Sequence, residues 1–265
     1  MEIKEYFTKG KKSELTNEDG IFISNKIVAV IDGVTSKTSN LYNGFKSGKI
    51  AKDIILKALD NVEPEKSCEE TILYINSELN KYHKSLGKDN EYFSAQIIIY
   101  NDYHKEIWNI GDCNCMINGI FHKHNKLYDE ITANARALYN NILLQSGFTE
   151  KQLLENDYGS HYIEPLLQKQ YLYDNNVAST YGYPLLNGKE IHLEHVIKYK
   201  VKPGDEIILA SDGYPIIKST LEESEDYLSQ ILEKDPLCIK EFICEKGLTP
   251  GNNSYDDRTY IRFII

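Results

Sequence analysis

Four apolar, strand-like segments of this sequence each end or begin at an aspartate. The segments IVAVID, EIWNIGD and EIILASD end at Asp32, Asp112 and Asp212, and the segment DDRTYIRFII begins at Asp256. An aspartate at a strand end lies at the rim of a sheet, and several carboxylates at one rim form a site for hard divalent cations. The pattern therefore predicts a β-sheet protein with a metal site, and metal-assisted hydrolysis is the first functional hypothesis.

Each aspartate also has a simpler interpretation. The Asp-Gly pairs at 32–33 and 212–213 are ordinary turn dipeptides, and taken singly they favour a turn over a ligand role. Glu18 and Asp19 add two more acids just before the first strand that the pattern predicts. Carboxylates at all these positions would repel one another if clustered, and divalent cations make such clustering tolerable. Taken together, the acidic residues favour the metal site.

Composition narrows the classes of function. The 265 residues are 41% apolar without a break in composition, which predicts one domain over 1–265. The net charge of −10 argues against a nucleic acid or an anionic membrane as partner, since either requires a basic surface. Neither a signal-peptide core nor an apolar run of about 20 residues occurs, and the five cysteines fit reduced thiols. We expect a soluble, cytoplasmic monomer.

The apolar periodicity predicts strands at both ends of the chain and helices between them. Asn25-Lys26 predicts a hairpin turn, and Gly87 a helix end. Strands, two helices, more strands, a helix and a last strand indicate an α+β sandwich rather than βαβ units. The predicted segments are a hairpin over 20–31, helices within 44–62 and 68–87, an antiparallel meander over 93–124, a polar insert at about 131–190, strands before and after Pro203-Gly204, a helix over 221–245 and a final strand.

Two further motifs favour structural interpretations. Cys113 and Cys115 share one face of a predicted strand, but no second pair with metal-ligand spacing accompanies them, so we interpret them as buried residues. The segment 44–49 resembles a phosphate loop, but it is one residue short of the required spacing and Ile50 replaces the Ser or Thr. We interpret it as the glycine-rich start of a helix.

The order of the motifs resembles that of the PP2C-type serine/threonine phosphatases, the PPM family. The matching segments are Asn17-Glu18-Asp19, VAVIDG ending at Gly33, SAQIIIY followed by NIGD, GDEIILASDG ending at Gly213, and DDRTYI. The resemblance covers nearly the whole chain and is closest to bacterial members. It implies a four-layer α/β/β/α sandwich of two antiparallel sheets flanked by helices, with the insert as the family's variable flap.

The resemblance also implies a set of ligands. Asp32 matches the aspartate that bridges two Mn²⁺ or Mg²⁺ ions, and the carbonyl of Gly33 matches a ligand of one of them. Asp212 and Asp256 match the other carboxylates of the first ion. Further acids match residues that serve the second ion and a possible third: Glu18 and Asp19 for the second, Asp112 for the third. In such a centre Asp32 and Asp212 are catalytic because they hold the metal-bound water that attacks phosphorus.

The sequence departs from the family where the substrate phosphate is bound. Glu14 stands where many members have a phosphate-binding arginine, and the family's GDSR-like turn reads GDCN here. The phosphate ligand is therefore unknown, and four basic residues are alternatives: Lys11, Lys12, Arg136 and Arg258.

Three functions remain open. The first is a bacterial-type phosphatase acting on phosphoserine or phosphothreonine in a phosphoprotein substrate. The second is a catalytically weak pseudophosphatase or regulatory binding module, which the acid at Glu14 favours because it would repel a dianionic substrate. The third is a small-molecule phosphohydrolase in which the insert closes a pocket.

Overall fold

Two antiparallel sheets of five strands each form the centre of the protein. The structure is a computed structural model and describes residues 1–35, 37, 40–86 and 93–265. The strand order is β1-β10-β9-β6-β7 in the first sheet and β2-β3-β4-β5-β8 in the second. The strands are β1 (Glu2–Lys9), β2 (Asp19–Ile23), β3 (Ile27–Gly33), β4 (Ala95–Asn101), β5 (Glu106–Ile110), β6 (Asn114–Ile117), β7 (Ile120–His122), β8 (Ile197–Lys200), β9 (Glu206–Ala210) and β10 (Arg258–Ile264).

Helices cover the outer faces of both sheets. Helices α1 and α2 pack on the second sheet, α6 packs on the first, and α3 to α5 belong to the insert. None of the helices in the described ranges has the length and hydrophobicity needed to cross a bilayer. The helices are α1 (Ser47–Leu59), α2 (Cys68–Ser85), α3 (Leu127–Gln145), α4 (Glu150–Glu155), α5 (Tyr158–Leu167) and α6 (Leu221–Lys234).

The apolar strand β3 shows how the layers are held together. Its side chains alternate, so Val28 and Val30 face the first sheet while Ala29 and Ile31 face α1 and α2. All four are fully buried. Burial of each valine or isoleucine side chain contributes about 1.5–3 kcal/mol to the stability of the fold. Both cysteines of the C-x-C pair lie in the core between the sheets, as predicted. The α/β/β/α sandwich predicted from the sequence is confirmed.

Several element boundaries differ from the prediction. Strand β1 was not predicted, because its alternating charged and apolar residues resemble a solvated segment; it pairs with β10 at the sheet edge. Helix α6 ends at Lys234 rather than near residue 245, since the carboxylate of Asp235 accepts backbone N–H groups of the following turn and Pro236 cannot continue a helix. Gly87, the predicted end of α2, lies outside the described residues.

The predicted meander is wrong at one connection. Strand β5 belongs to the second sheet and β6 to the first, so the chain crosses between sheets at 111–113 instead of turning within one. The apolar pattern on either side is the same in both arrangements, which is why it does not reveal the crossing. Asp112 lies at this crossing, between the ends of the two sheets.

Candidate metal centre

Three of the predicted aspartates meet at one end of the two sheets. Asp32 lies near the end of β3, Asp112 at the crossover from β5 to β6, and Asp212 shortly after β9. One carboxylate oxygen of each lies within 4.8 Å of those of the other two. Three carboxylates at this spacing form a donor set for a hard divalent cation such as Mg²⁺ or Mn²⁺.

The position of Asp112 depends on a glycine and a glutamine. Gly111 has a φ of 99°, and a Cβ at this position would lie 2.3 Å from Oε1 of Gln96. The same oxygen of Gln96 accepts the backbone N–H of Asp112. The crossover is therefore fixed by a hydrogen bond that a larger residue at 111 would block.

The turn that carries Asp212 is tied to the last strand. The hydroxyl of Tyr255 donates to the carbonyl oxygen of Asp212 at 2.9 Å. On the preceding residue, the Ser211 N–H donates to the carbonyl oxygen of Thr259 at 3.1 Å, and Ser211 Oγ accepts the Thr259 N–H at 2.9 Å. These bonds join the end of β9 to the start of β10.

Glu18 and Asp19 lie beside the cluster. Asp19 is directly opposite Asp32 in the β2–β3 register, and the Gly33 N–H donates to the carbonyl oxygen of Glu18 at 3.0 Å. Both acidic side chains are buried, and the hydroxyl of Thr35 donates to Oε2 of Glu18. The structure thus places three predicted positions, Glu18, Asp19 and Gly33, beside the three clustered aspartates.

Helix α1 begins against Gly33. A Cβ at Gly48, in the first turn of α1, would lie 2.6 Å from the Gly33 carbonyl oxygen and 2.6 Å from Oε1 of Glu18. Glycine at both 33 and 48 permits this close approach. The segment 44–49 leads into α1, as we interpreted from its sequence, and its Gly48 makes this contact.

Asp256 is held differently from the other aspartates. Lys11 Nζ lies 2.8 Å from its Oδ1, and Lys246 Nζ forms an ion pair with its Oδ2. Asp256 is buried at the start of the segment that leads into β10, while the side chain of Lys246 is 39% exposed. Both carboxylate oxygens of this predicted ligand therefore contact lysines.

A further lysine, Lys126, contacts Asp112. Lys126 Nζ lies 2.9 Å from Oδ2 of Asp112 and 2.9 Å from Oδ2 of Asp129. Sequence reasoning missed Lys126, Asp129 and Lys246, because they lie in segments without a motif. A weak signal was present in the acidic residues close to each lysine in the sequence, at 129 and 245.

The carboxylates strongly perturb one another. Burial, followed by the charges of Asp19 and Asp112, raises the pKa of Asp32 well above its usual range, and burial with the charge of Asp32 does the same to the pKa of Asp212. Burial also acts to raise the pKa of Asp256, but the charges of Lys246 and Lys11 outweigh it and hold that pKa below its ordinary value. At Asp32 and Asp212 the charges of Lys126 and Lys246 offset these effects only in part.

Unpaired oxygens show that the residues fit a divalent cation. Oε1 of Glu18, Oδ2 of Asp19 and Oδ1 of Asp112 are buried without a hydrogen-bond partner among the described residues. A buried carboxylate oxygen without a partner is costly, and a cation bound there would remove the cost. The donors are all oxygens, which suits Mg²⁺ or Mn²⁺ rather than a soft metal.

Comparison with known proteins identifies the fold. No family model matches the sequence, and no curated protein matches it. The structure resembles the serine/threonine phosphatase PstP/Ppp of Mycobacterium tuberculosis, with a TM-score of 0.50, 14% identity and coverage of 99% of this chain and 98% of that chain. It also resembles the catalytic domain of PstP in complex with two manganese ions, with a TM-score of 0.51, 12% identity and full coverage of both chains.

A third similar structure is PppA, described as a key regulatory component of the T6SS in Pseudomonas aeruginosa, with a TM-score of 0.51, 12% identity and coverage of 100% of this chain and 99% of that chain. The chain has the PP2C-type phosphatase fold. At these identities the likeness concerns the fold, and it confirms the fold that the motif order implied.

Within the PP2C-type fold, the structure separates the four basic candidates for phosphate binding. Arg136 is fully buried in an ion pair with Asp157, and Arg258 is paired with Glu225, so both contribute to structure instead. Glu14 is exposed and does not line the cleft over the acidic cluster. The remaining alternatives are Lys11, which contacts Asp256, and Lys12, which is exposed.

The cleft above the cluster contains lysines that the sequence did not indicate. It has a volume of about 230 Å³, and its lining includes the predicted acids together with Lys126 and Lys246. Four described lysines line it: Lys37, Lys123, Lys126 and Lys246. The side chain of Lys246 is 39% exposed, and its ammonium lies beside Asp256 and Asp212. Lys246 is therefore one of the basic groups that an anion entering the cleft would meet.

Proposed function

We propose that this chain is a metal-dependent phosphatase that hydrolyses phosphoserine or phosphothreonine in proteins. The observation that carries the proposal is the convergence of Asp32, Asp112 and Asp212 on a PP2C-type fold, with buried carboxylate oxygens that need a cation. Divalent ions bound there would neutralise phosphate charge and lower the pKa of a coordinated water. The proposed reaction is hydrolysis of a phosphoric monoester.

The acidic residues of the cleft would have different roles as metal ligands. Asp32 and Asp212 would hold the ions of the reacting centre, with Glu18, Asp19 and the Gly33 carbonyl on the side of β2. Asp256 would complete the ligand set once its lysines move away. The carboxylates would act as ligands of the ions, and a coordinated water would be the nucleophile.

We further propose that Lys246 binds the substrate phosphate. Its side chain is partly exposed and lines the cleft, and its ammonium pairs with Asp256, so a bound cation at Asp256 would release it. The freed ammonium would then face the same volume as the phosphate. A charged hydrogen-bond donor there would replace the arginine that the family has at the position of Glu14.

A pseudophosphatase or regulatory binding module is the second candidate. The observation that favours it is the occupation of both Asp256 oxygens by Lys11 and Lys246, since internal ammonium groups can neutralise carboxylates without any metal. In that case the cleft would bind a phosphorylated or other anionic group without turnover. The two candidates differ in whether the centre hydrolyses a phosphoric monoester.

Manganese binding and hydrolysis should be measured on the same preparation. We expect Mn²⁺-dependent hydrolysis of both p-nitrophenyl phosphate and a phosphothreonine peptide, loss of activity with EDTA, and loss with Asp32→Asn or Asp212→Asn. Asp226→Asn changes an exposed aspartate of α6 and is the matched control, expected to retain activity.

The outcomes separate the candidates. Mn²⁺ binding without hydrolysis would favour the binding module, and hydrolysis of the aryl phosphate alone would favour a small-molecule substrate. Activity that survives both Asp32→Asn and Asp212→Asn would contradict the proposed metal centre.

A further inference from the structure

Lys126 lies inside a cage of acidic and aromatic groups. Its Nζ is 2.9 Å from a carboxylate oxygen of Asp112 and 2.9 Å from one of Asp129, and it lies 5.0 Å from the centre of the Tyr183 ring. The side chain is 9% exposed. An ammonium held by two carboxylates and an aromatic face in a nearly closed space is a built cation site.

Each wall of this cage is fixed by a partner of its own. Gln170 donates to the other oxygen of Asp129 at 2.7 Å, and the Tyr183 hydroxyl donates to Asp174 at 2.7 Å. Lys126 immediately precedes α3, so the beginning of that helix fixes its backbone. The cage therefore depends on the folded insert and on the sheet crossover at once.

The two oxygens of Asp112 have different surroundings. Oδ2 contacts Lys126, whereas Oδ1 is buried without a partner in the described part of the chain. One carboxylate oxygen of Asp112 lies within 4.8 Å of those of Asp32 and Asp212. Asp112 therefore has one oxygen free for the ions of the proposed centre. Its other oxygen and Asp129 form a second pair of donors, and Lys126 lies between them.

We propose that Lys126 is a resident cation that takes the place of a third divalent ion between Asp112 and Asp129. This inference rests on the proposed metal centre. A divalent ion bound between the same two oxygens would be repelled by the ammonium at close range. The ammonium could not move away into solvent, because the lysine side chain is only 9% exposed. The centre would then hold two divalent ions and one fixed ammonium, and α3 would be attached to it by that ammonium.

Counting bound Mn²⁺ tests the inference without relying on activity. In equilibrium dialysis with metal analysis, we expect two Mn²⁺ per wild-type chain and three per chain for Lys126→Met, because the substitution frees both flanking oxygens. The double variant Lys126→Met/Asp129→Asn should return to two, since it removes one of those donors. If Lys126→Met does not fold, the bound Mn²⁺ is counted in Lys126→Gln instead, which keeps a polar side chain and should also bind three.

Lys123→Met is the matched control. Lys123 lines the same cleft three residues earlier, and its ammonium lies over the Phe242 ring, so its loss should leave the count at two. Three Mn²⁺ in the wild type, two in a folded Lys126 variant, or three in the double variant would each overturn the inference. No Mn²⁺ in the wild type would instead contradict the proposed function on which it rests.

Discussion

The carboxylate of Asp257 accepts the backbone N–H of Glu18 at 2.9 Å, although 239 residues separate them in the chain. Its other oxygen accepts the backbone N–H of Lys11 at 2.7 Å. One buried side chain beside β10 therefore fixes the segment that carries Glu18 and Asp19 into the centre. We regard Asp257 as a positioning residue, in contrast to its neighbour Asp256.

Asp257→Ala should destabilise the protein by about 2–4 kcal/mol, because two backbone N–H groups lose their acceptor. Asp257→Asn keeps one acceptor oxygen and should cost about half as much. Chemical denaturation in EDTA measures both values without a contribution from bound metal. Asp226→Ala, on the exposed face of α6, is the control and should change the free energy of unfolding by no more than about 0.5 kcal/mol. Equal losses for Asp257→Ala and Asp226→Ala would contradict the assigned role.

Arg136 joins the insert to the segment that leads to Lys246. Its guanidinium contacts Asp157 at 2.7 Å and donates to the carbonyl oxygens of Leu237 at 2.9 Å and Cys244 at 2.9 Å. Arg136→Met should destabilise the protein by about 3–5 kcal/mol, since Asp157 and several buried carbonyls lose their partner. Thermal or denaturant unfolding measures this cost.

Arg262 is the matched control for Arg136. It also forms ion pairs, with Glu5 and Glu206, but its side chain is 21% exposed. Arg262→Met should cost about 1 kcal/mol or less, because pairs near the surface are well solvated. Similar losses of stability in the two arginine variants would mean that the buried network around Arg136 stabilises the protein no more than the partly exposed ion pairs of Arg262.

The sequence predicted the layers of the fold because its strongest signals are local. Burial makes β3 an unbroken apolar run and gives α1 and α2 apolar residues at helical spacing. Both patterns lie within short stretches of sequence, so the periodicity of the residues predicts these elements directly. Strand β1 was missed because it is an edge strand with one solvated face. The crossover at Asp112 was missed because a hairpin and a change of sheet have the same alternating pattern.

The aspartates of the candidate centre were found because their order along the chain carries information that no single turn motif does. Lys126 and Lys246 were not, since their importance comes from contacts with Asp112 and Asp256 that no local pattern indicates. The contact of Lys11 with Asp256, which joins residues 245 apart in the chain, was not predicted for the same reason. Arg136, an alternative for phosphate binding, is structural for the same reason. Charge type alone does not indicate whether an arginine contacts substrate or carbonyl groups.

Glu245 should make stability depend on pH. Burial, followed by the charge of Asp129, raises the pKa of Glu245 to about 7. The folded state therefore binds a proton that the unfolded chain, with a glutamate pKa of about 4.3, releases earlier. Folding stability from this group is fully present below about pH 4.3 and is lost as the pH rises toward 7.

Glu245→Gln should remove that dependence while keeping an acceptor for the Thr132 hydroxyl. In EDTA, the variant should be more stable than wild type by on the order of 2 kcal/mol at pH 8 and nearly equal to it at pH 4.5. Denaturant unfolding across this range measures the difference. A constant difference at all pH values would mean that the carboxyl group does not titrate in this window.

Lys246→Met should separate substrate binding from metal binding. Because Lys246 lines the cleft and pairs with Asp256, its loss should raise KM for a phosphothreonine peptide by about tenfold, the effect of one charged hydrogen bond. The same loss should tighten Mn²⁺ binding, since a competing ammonium leaves the carboxylate.

Lys11→Met should tighten Mn²⁺ binding too, but with little change in KM, because Lys11 pairs with Asp256 without lining the cleft. Steady-state kinetics and calorimetric Mn²⁺ titration of both variants give the four values. An unchanged KM in Lys246→Met with tighter Mn²⁺ binding would leave Lys246 as a counter-charge of Asp256 and assign phosphate binding to another group.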